Sequence, residues 1–439
     1  MDSLESKPFQ LILLGIFGLL AFVGLFLFAS YSGFGGGKNT VGSVVIWGTL
    51  PAESVKAGLD VISQGRKEFK DVGYVEKSAT TFDIDLANAL ASGTGPDLIL
   101  ISEEQLLYEK SKLTIIPYSS IPERTFISTY VPVAELFLST EGTYGIPLLV
   151  DPLVMYVNRS TLSSAGVAEP PSTWEAVTAL TEDLTTRTND LSIVKSTVAL
   201  GEYANINNAR ALVSLFLLQA GVPITGETSL GIRASLVGEL SGTAAPSSLP
   251  PGVSALTFYT QFANPVKTVY SWSRSLPTAR EEFLAGDLAF YFGFASEQPF
   301  LAAANPNLDL DMASMPQPGT ATKVVTYANV YAFAIPKASK NPSGAFSAAL
   351  GLSEDASLSA IARAAGMAPA KRTLLTPGAR DRFEPVFYPA ALSGKSWLSP
   401  LPGKTDTVFA TMIGDITSGR RETEDALRAA EQALNAAMQ

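Results

Sequence analysis

The chain has 439 residues, with 46% hydrophobic and 16% charged side chains and a formal net charge of −10. That length exceeds what one hydrophobic core serves, so two lobes are expected, and the acidic balance excludes a nucleic-acid partner, which needs a basic face. There is no cysteine and no histidine, which removes disulfides, a thiolate nucleophile, a Cys-ligated zinc, a Ser-His-Asp triad and a lipid-modified N-terminal cysteine. No cofactor and no metal are expected.

Residues 1–9 read as a short cytoplasmic tail and 10–30 as a transmembrane anchor. Leu11 to Ala29 carries no charged side chain, and a helix of that length reaches roughly 28 Å, enough for a bilayer core. The run exceeds the ~7–15-residue apolar region of a secretory signal, and Asp2, Glu5 and Lys7 are not a basic start. Ser30-Tyr31-Ser32 keeps signal cleavage as the alternative. Lys7 and Lys38 flank the span and barely vote on its orientation. Gly33 to Asn39 lacks the Ser or Thr that a phosphate loop needs after its lysine; residues 31–41 therefore read as a Gly-rich linker between membrane and domain.

From there the pattern alternates. Val44-Val45-Ile46-Trp47 is a short apolar run, a buried strand. Pro51 opens a helix with Val55, Leu59, Ile62 and Phe69 on one face. Gly73 to Ser78 reads as strand, Asp85 to Ala91 as helix, and Leu98-Ile99-Leu100-Ile101 as another buried strand. This order predicts an α/β fold with parallel strands covered on both faces. Ligands of such sheets bind beyond the carboxyl ends of strands, which singles out Gly48-Thr49-Leu50 and Ser102-Glu103-Glu104.

The next block is helix-rich. Ser172-Thr173-Trp174-Glu175 reads as a capping box with Ser172 as the cap, and Asn208 to Ala220 as a buried helix. Glu227 to Gly252 is rich in Ser, Gly and Pro and reads partly as an exposed loop. Asn341-Pro342 and Thr423-Glu424-Asp425 start further helices. Asp83/Asp85 and Asp309/Asp311 alternate at the strand period, but neither pair continues as a calcium loop; they read as solvated acids.

Four stretches, in order, resemble the family-1 extracellular solute-binding proteins of ABC importers, the maltose-binding-protein-like group. They are Gly93-Thr94-Gly95-Pro96-Asp97-Leu98-Ile99; Gly145-Ile146-Pro147 through Met155-Tyr156-Val157-Asn158-Arg159 to Pro171-Ser172-Thr173-Trp174-Glu175; Phe283 to Phe290; and Ala334-Ile335-Pro336-Lys337 through Asn341-Pro342 to Gly366-Met367-Ala368-Pro369-Ala370. The chain departs from the family in lacking the lipobox cysteine and in carrying Phe290 where a methionine is usual. The resemblance implies a periplasmic-binding-protein type II fold: two α/β lobes joined by a multi-crossover hinge, preceded here by the N-terminal transmembrane helix. Crossovers are expected near 148–151, 305–311 and 337–341, placing 42–148 and 309–337 in lobe one and 151–307 and 341–439 in lobe two. It implies a membrane-tethered, extracytoplasmic monomer that delivers a small molecule to ABC permease subunits and is not an enzyme.

The candidate ligand-binding residues follow from strand ends and from that resemblance. Trp47 and Thr49 lie after the first strand, with core packing as the other role for Trp47. Glu104 and Asp151 occupy positions where the resemblance implies sugar-contacting acids. Tyr203 and Asn205 follow a strand-to-helix turn, Ser296 and Glu297 follow Gly293, and Asn329 and Tyr331 flank the last crossover. Trp272 and Trp397 are candidate stacking platforms, whereas Trp174 belongs to the helix start. Acids, amides and aromatics without an evident Arg or Lys point to a neutral, hydroxyl-rich solute, a mono- or oligosaccharide, with a cation such as a polyamine as the rival. Two other functions stay open: a solute sensor without transport, and a carboxylate-based glycosidase using two of Glu104, Asp151 and Glu297.

Overall fold

The structure is a computed structural model that describes residues 41–229, 231–238, 248–376 and 381–438. The expected tail, anchor and nearly all of the linker lie outside the described residues; among those described, no helix is long and apolar enough to cross a membrane.

Val44–Gly48 (β1), Val72–Glu76 (β2) and Leu98–Ser102 (β3) are parallel, with β1 in the middle. The intervening helices are Ala52–Gly65 (α1) and Phe82–Ala91 (α2). All five residues of β3 are buried, as an apolar run covered on both faces must be. The next principal strand is Ile146–Asn158 (β4), thirteen residues long and buried throughout. It is followed by Ile193–Val198 (β5), Leu288–Phe294 (β6), Leu310–Ala313 (β7) and Thr326–Ala334 (β8). Among the described residues the main sheet has eleven strands, and its path runs β2-β1-β3-β8-β4-β6-β5 before ending on the short edge strand Thr186–Arg187.

Two strands carry the sheet from one half to the other. The first part of β4 pairs antiparallel with β8, Ile146 to Pro152 against Phe333 to Ala328. Its second part, Leu153 to Val157, pairs antiparallel with β6. Pro152 sits where β4 changes neighbours, a position that tolerates a missing N–H. β8 joins β3 through Tyr331 to Ala334.

The chain's path departs from the expected boundaries. β7 pairs with Met155 to Asn158, so residues 310–313 lie with the second half of the sheet. Pro342–Leu352 and Asp355–Ala365 pack on β1, β3 and α1, so the chain after Asn341 stays with the first half. The reason is apolar fit: Leu358, Ile361 and Ala362 form a buried face that meets the helix α1. The final helices, Pro402–Thr417 and Thr423–Ala437, pack on the second half.

Three local readings also change. The helix Trp174–Leu184 is capped by Thr173, whose side chain accepts from the Ala176 N–H at 3.2 Å. Part of the expected loop from Glu227 is a hairpin, Ile224–Thr228 with Gly231–Ser235. Asp83 and Asp85 lie on α2, not on a strand; they accept from Gln105 and Thr81.

Candidate functional site

The site begins at the carboxyl end of β3, where the helix Glu103–Glu109 (α3) starts behind a capping box formed by Ser102 and Gln105. The box places Glu103 and Glu104 in the first turn, where the positive end of the helix dipole favours acids. Their side chains then diverge. Glu103 is fully buried and accepts from the Val330 N–H at 2.7 Å and the Ser396 hydroxyl at 2.6 Å. Burial, and then the neighbouring charge of Glu104, push its carboxyl up to about 8. Glu104 instead meets the guanidinium of Arg210 at 2.7 Å and accepts from the Tyr327 hydroxyl at 3.1 Å.

Arg210 lies in the first turn of the helix Ala209–Gln219 (α4), on the other half of the sheet. It also faces Asp406 at 3.6 Å, and Asp406 accepts from the Tyr203 hydroxyl at 2.7 Å. Burial works against the charge on Arg210, but Glu104, Tyr327 and Asp406 outweigh it and hold the guanidinium protonated. Burial and Asp406 keep the Tyr203 phenol neutral, well above its ordinary range. Glu104, Tyr203, Arg210, Asp406, Phe294 and Asn329, together with the rest of residues 206–211 at the head of α4, line a cavity of about 170 Å³.

Behind this wall the other carboxylates are fully engaged. Glu297 accepts from Tyr291 at 2.7 Å, Arg280 at 2.7 Å, Asn208 at 2.8 Å and the Phe294 N–H at 2.9 Å. It therefore positions Asn208, the residue at the head of α4, without reaching the cavity lining itself. Asp151, the one charged residue of buried β4, accepts from both the N–H and the hydroxyl of Ser296, at 3.0 and 2.6 Å. Burial pushes its carboxyl up to about 7. Asn329 stands directly opposite Asp151 in the ladder, and Tyr331 opposite Leu149, so all four side chains share one face. The Tyr331 phenol is driven well above its ordinary range by burial and by Asp151, Glu103 and Glu104.

Of the sequence candidates, Glu104, Tyr203 and Asn329 come together on the cavity; Asp151 and Tyr331 lie beside them in the crossing strands, and Ser296, on the turn after β6, is bonded to Asp151. Two stacking platforms are elsewhere. Trp272 is fully buried, and its indole N–H donates to Asn205 at 3.1 Å; Asn205 in turn donates to the Ser273 and Leu276 carbonyls. These two residues brace the loop behind 203–208 and present no free face. Trp397 is buried, donates to the Ser214 hydroxyl at 3.0 Å, and borders a larger, mainly apolar cavity of about 510 Å³ with Leu136, Leu218 and Ile232. Trp47 is half-buried under the Lys77 ammonium, 3.7 Å from its ring centre, and Thr49 is half-buried in the turn after β1.

Arg210, Asp406 and Phe294 were not foreseen. A signal existed for Arg210: it is the one charge in the otherwise apolar helix Ala209–Gln219. Asp406 carries none, because it follows a Pro-rich loop, lies 203 residues after Tyr203 and joins the site through tertiary packing alone. Among the described residues, no group of acids is clustered to hold a metal ion.

Residues 74–378 match the family described as bacterial extracellular solute-binding protein. The chain belongs to that family. No curated protein matches it closely enough to add a nearer relative. Its fold is similar to that of a cyclo/maltodextrin-binding protein complexed with maltotetraose, at 15% identity and TM-score 0.70, covering 92% of this chain and 98% of that one. It is also similar to a cyclic α-maltosyl-1,6-maltose binding protein from Arthrobacter globiformis, at 19% identity and TM-score 0.71, covering 90% and 99%. A third is an ABC transporter solute-binding protein from Thermotoga lettingae bound with α-D-tagatose, at 18% identity and TM-score 0.66, covering 90% and 100%. At these identities the likeness establishes the type II periplasmic-binding α/β fold.

Proposed function

We propose that this protein captures a sugar or short oligosaccharide outside the cytoplasm and delivers it to the permease of an ABC importer, tethered to the membrane through residues 11–29. The carrying observation is the cavity at the crossing strands. Glu104 reaches it from one half of the sheet, Tyr203, Arg210 and Asp406 from the other, and Asn329 from the strand between them. Convergent carboxylates, amides and phenols match a ligand made of hydroxyls, which donate and accept at once. The proteins of similar fold that bind maltotetraose and tagatose support the same class.

Hydrolysis fits less well. Glu104 is held by Arg210, Asp151 by Ser296 and Glu297 by four donors, which leaves no acid–base pair of the kind glycosidases use. The test is mass spectrometry of small molecules that co-purify with residues 41–439, followed by calorimetry with mono- to trisaccharides. A recovered sugar that binds stoichiometrically is the expected result. Recovery of a peptide or polyamine, with no sugar binding, overturns the reading. Glu104→Gln and Asn329→Ala should each weaken the recovered sugar at least tenfold, about 1.4 kcal/mol, with little change in melting temperature.

A further inference from the structure

The charge on the cavity's lining is uneven, and one side chain carries the excess. The ionisable groups there are Glu104, Arg210 and Asp406, with the Tyr203 phenol kept neutral by burial and by Asp406. Two acids stand against one base. Glu104 has both oxygens engaged, Oε2 by the Arg210 guanidinium at 2.7 Å and Oε1 by the Tyr327 hydroxyl at 3.1 Å. The guanidinium is committed to that pair, and its remaining Nη1 is buried, out of a ligand's reach.

Asp406 differs. Both of its contacts fall on Oδ1, from the Tyr203 hydroxyl at 2.7 Å and from Arg210 Nε at 3.6 Å; Oδ2 has no partner among the described residues. Its side chain is 48% exposed, against 13% for Glu104 and 19% for Arg210. Lys404, two residues earlier on the same helix, does not share its face. A ligand entering the cavity therefore meets a carboxylate oxygen and no free cation. A hydroxyl can donate to that oxygen, but an ammonium donates and also balances the charge. A carboxylate is repelled. The net charge of −10 draws cations from a distance in the same sense. From this we infer, building on the sugar-binding reading above, that the bound sugar carries a protonated amine, and that Asp406 anchors it and sets the preference for it.

The full chain, dialysed free of small molecules, is titrated at pH 7 in low salt with glucose, galactose and mannose, with their forms carrying an amine at C2, C3 or C6, with their uronates, and with spermidine. In a series that binds, at least one amine form should exceed its neutral parent at least tenfold, the uronate should be weakest, and the amine's advantage should shrink as salt is added. Asp406→Asn keeps an acceptor for Tyr203 and removes the charge; it should reduce the ratio of amine to neutral affinity at least fivefold. A neutral sugar or uronate that binds wild-type protein as tightly as its best amine form overturns the inference and leaves sugar binding standing. So does an amine-to-neutral ratio that a folded Asp406→Asn chain leaves unmoved. Should that variant not fold, the wild-type ratios and their salt dependence decide alone. Binding of spermidine with no sugar in any form, or of none of these compounds, removes the sugar reading and this inference together.

Discussion

Asp151 and Glu103 are acids in a buried setting, and their protonation is tied to folding. The folded state raises Asp151 from its ordinary 3.8 to about 7 and Glu103 from 4.5 to about 8. Between roughly pH 4 and pH 8 the folded protein therefore holds protons that the unfolded chain has released. Stability from these two groups is full at low pH and is lost as pH rises through their folded values. The chain has no histidine, so no imidazole contributes in the same window. The expected outcome is a melting temperature that falls from pH 5 to pH 8 and a flatter profile in the Asp151→Asn, Glu103→Gln double variant. Both replacements preserve hydrogen bonds to Ser296 and to Ser396 and Val330. A wild-type melting temperature that rises over this range rejects the assignment. Glu104 was legible as a candidate from its place at a strand end, and Asp151 from the crossover that the family resemblance implies. The burial of Trp272 and Trp397 was not legible, because a loop tryptophan has no periodicity to show whether it faces in or out, and tertiary partners, Asn205 and Ser214, decide it.

The first three strands stood in the sequence almost to their ends and both helices were present in it, since apolar runs and amphipathic spacing are local properties; but Phe69 falls on a separate turn, Lys67–Phe69, beyond α1, and α2 starts at Phe82, before Asp85. What failed was local choice under tertiary pressure. Ser172 and Thr173 are both capable caps; the Ser172 carbonyl accepts from the Gln317 N–H at 3.0 Å and the Trp174 N–H donates to the Gln317 carbonyl at 3.0 Å. That ladder assigns the cap to Thr173 and sends Glu175 to the Gly319 N–H instead of back to the helix start. The misplaced boundary after Asn341 has a similar origin, in the seam between α1 and Asp355–Ala365. Gly58 allows that approach: a Cβ there would lie 2.4 Å from Ile361 Cγ1 and 3.0 Å from the Ser357 carbonyl. Gly58→Val should overpack the seam and destabilise by about 1–3 kcal/mol, and Ile361→Ala in the same chain should recover part of the loss. Urea unfolding of wild type and the two variants measures it; a Gly58→Val chain as stable as wild type disproves the close packing.

At the scale of the molecule, the two halves share continuous strands, and the irregularities of those strands locate where they can bend. The ladder between β4 and β8 shifts register at Tyr331/Ala332, and β4 changes partner at Pro152, one residue after Asp151. Missing or displaced ladder bonds are weak points in an otherwise regular sheet. Asn329 of β8, opposite Asp151, lines the cavity close to these points, and Glu104 of α3 and Arg210 of α4 meet at its wall. A ligand bound there contacts both halves only when they are close, so its binding energy favours the closed arrangement by the difference in contacts between closed and open states. Small-angle scattering of residues 41–439 should therefore show a smaller radius of gyration when saturated with the recovered sugar than without it. Arg210→Met, which removes the ion pair between the halves, should enlarge the ligand-free radius and weaken binding together. A radius that does not change on saturation, with binding confirmed by calorimetry on the same sample, would show that the halves act as one rigid body and that the cavity fills without closure.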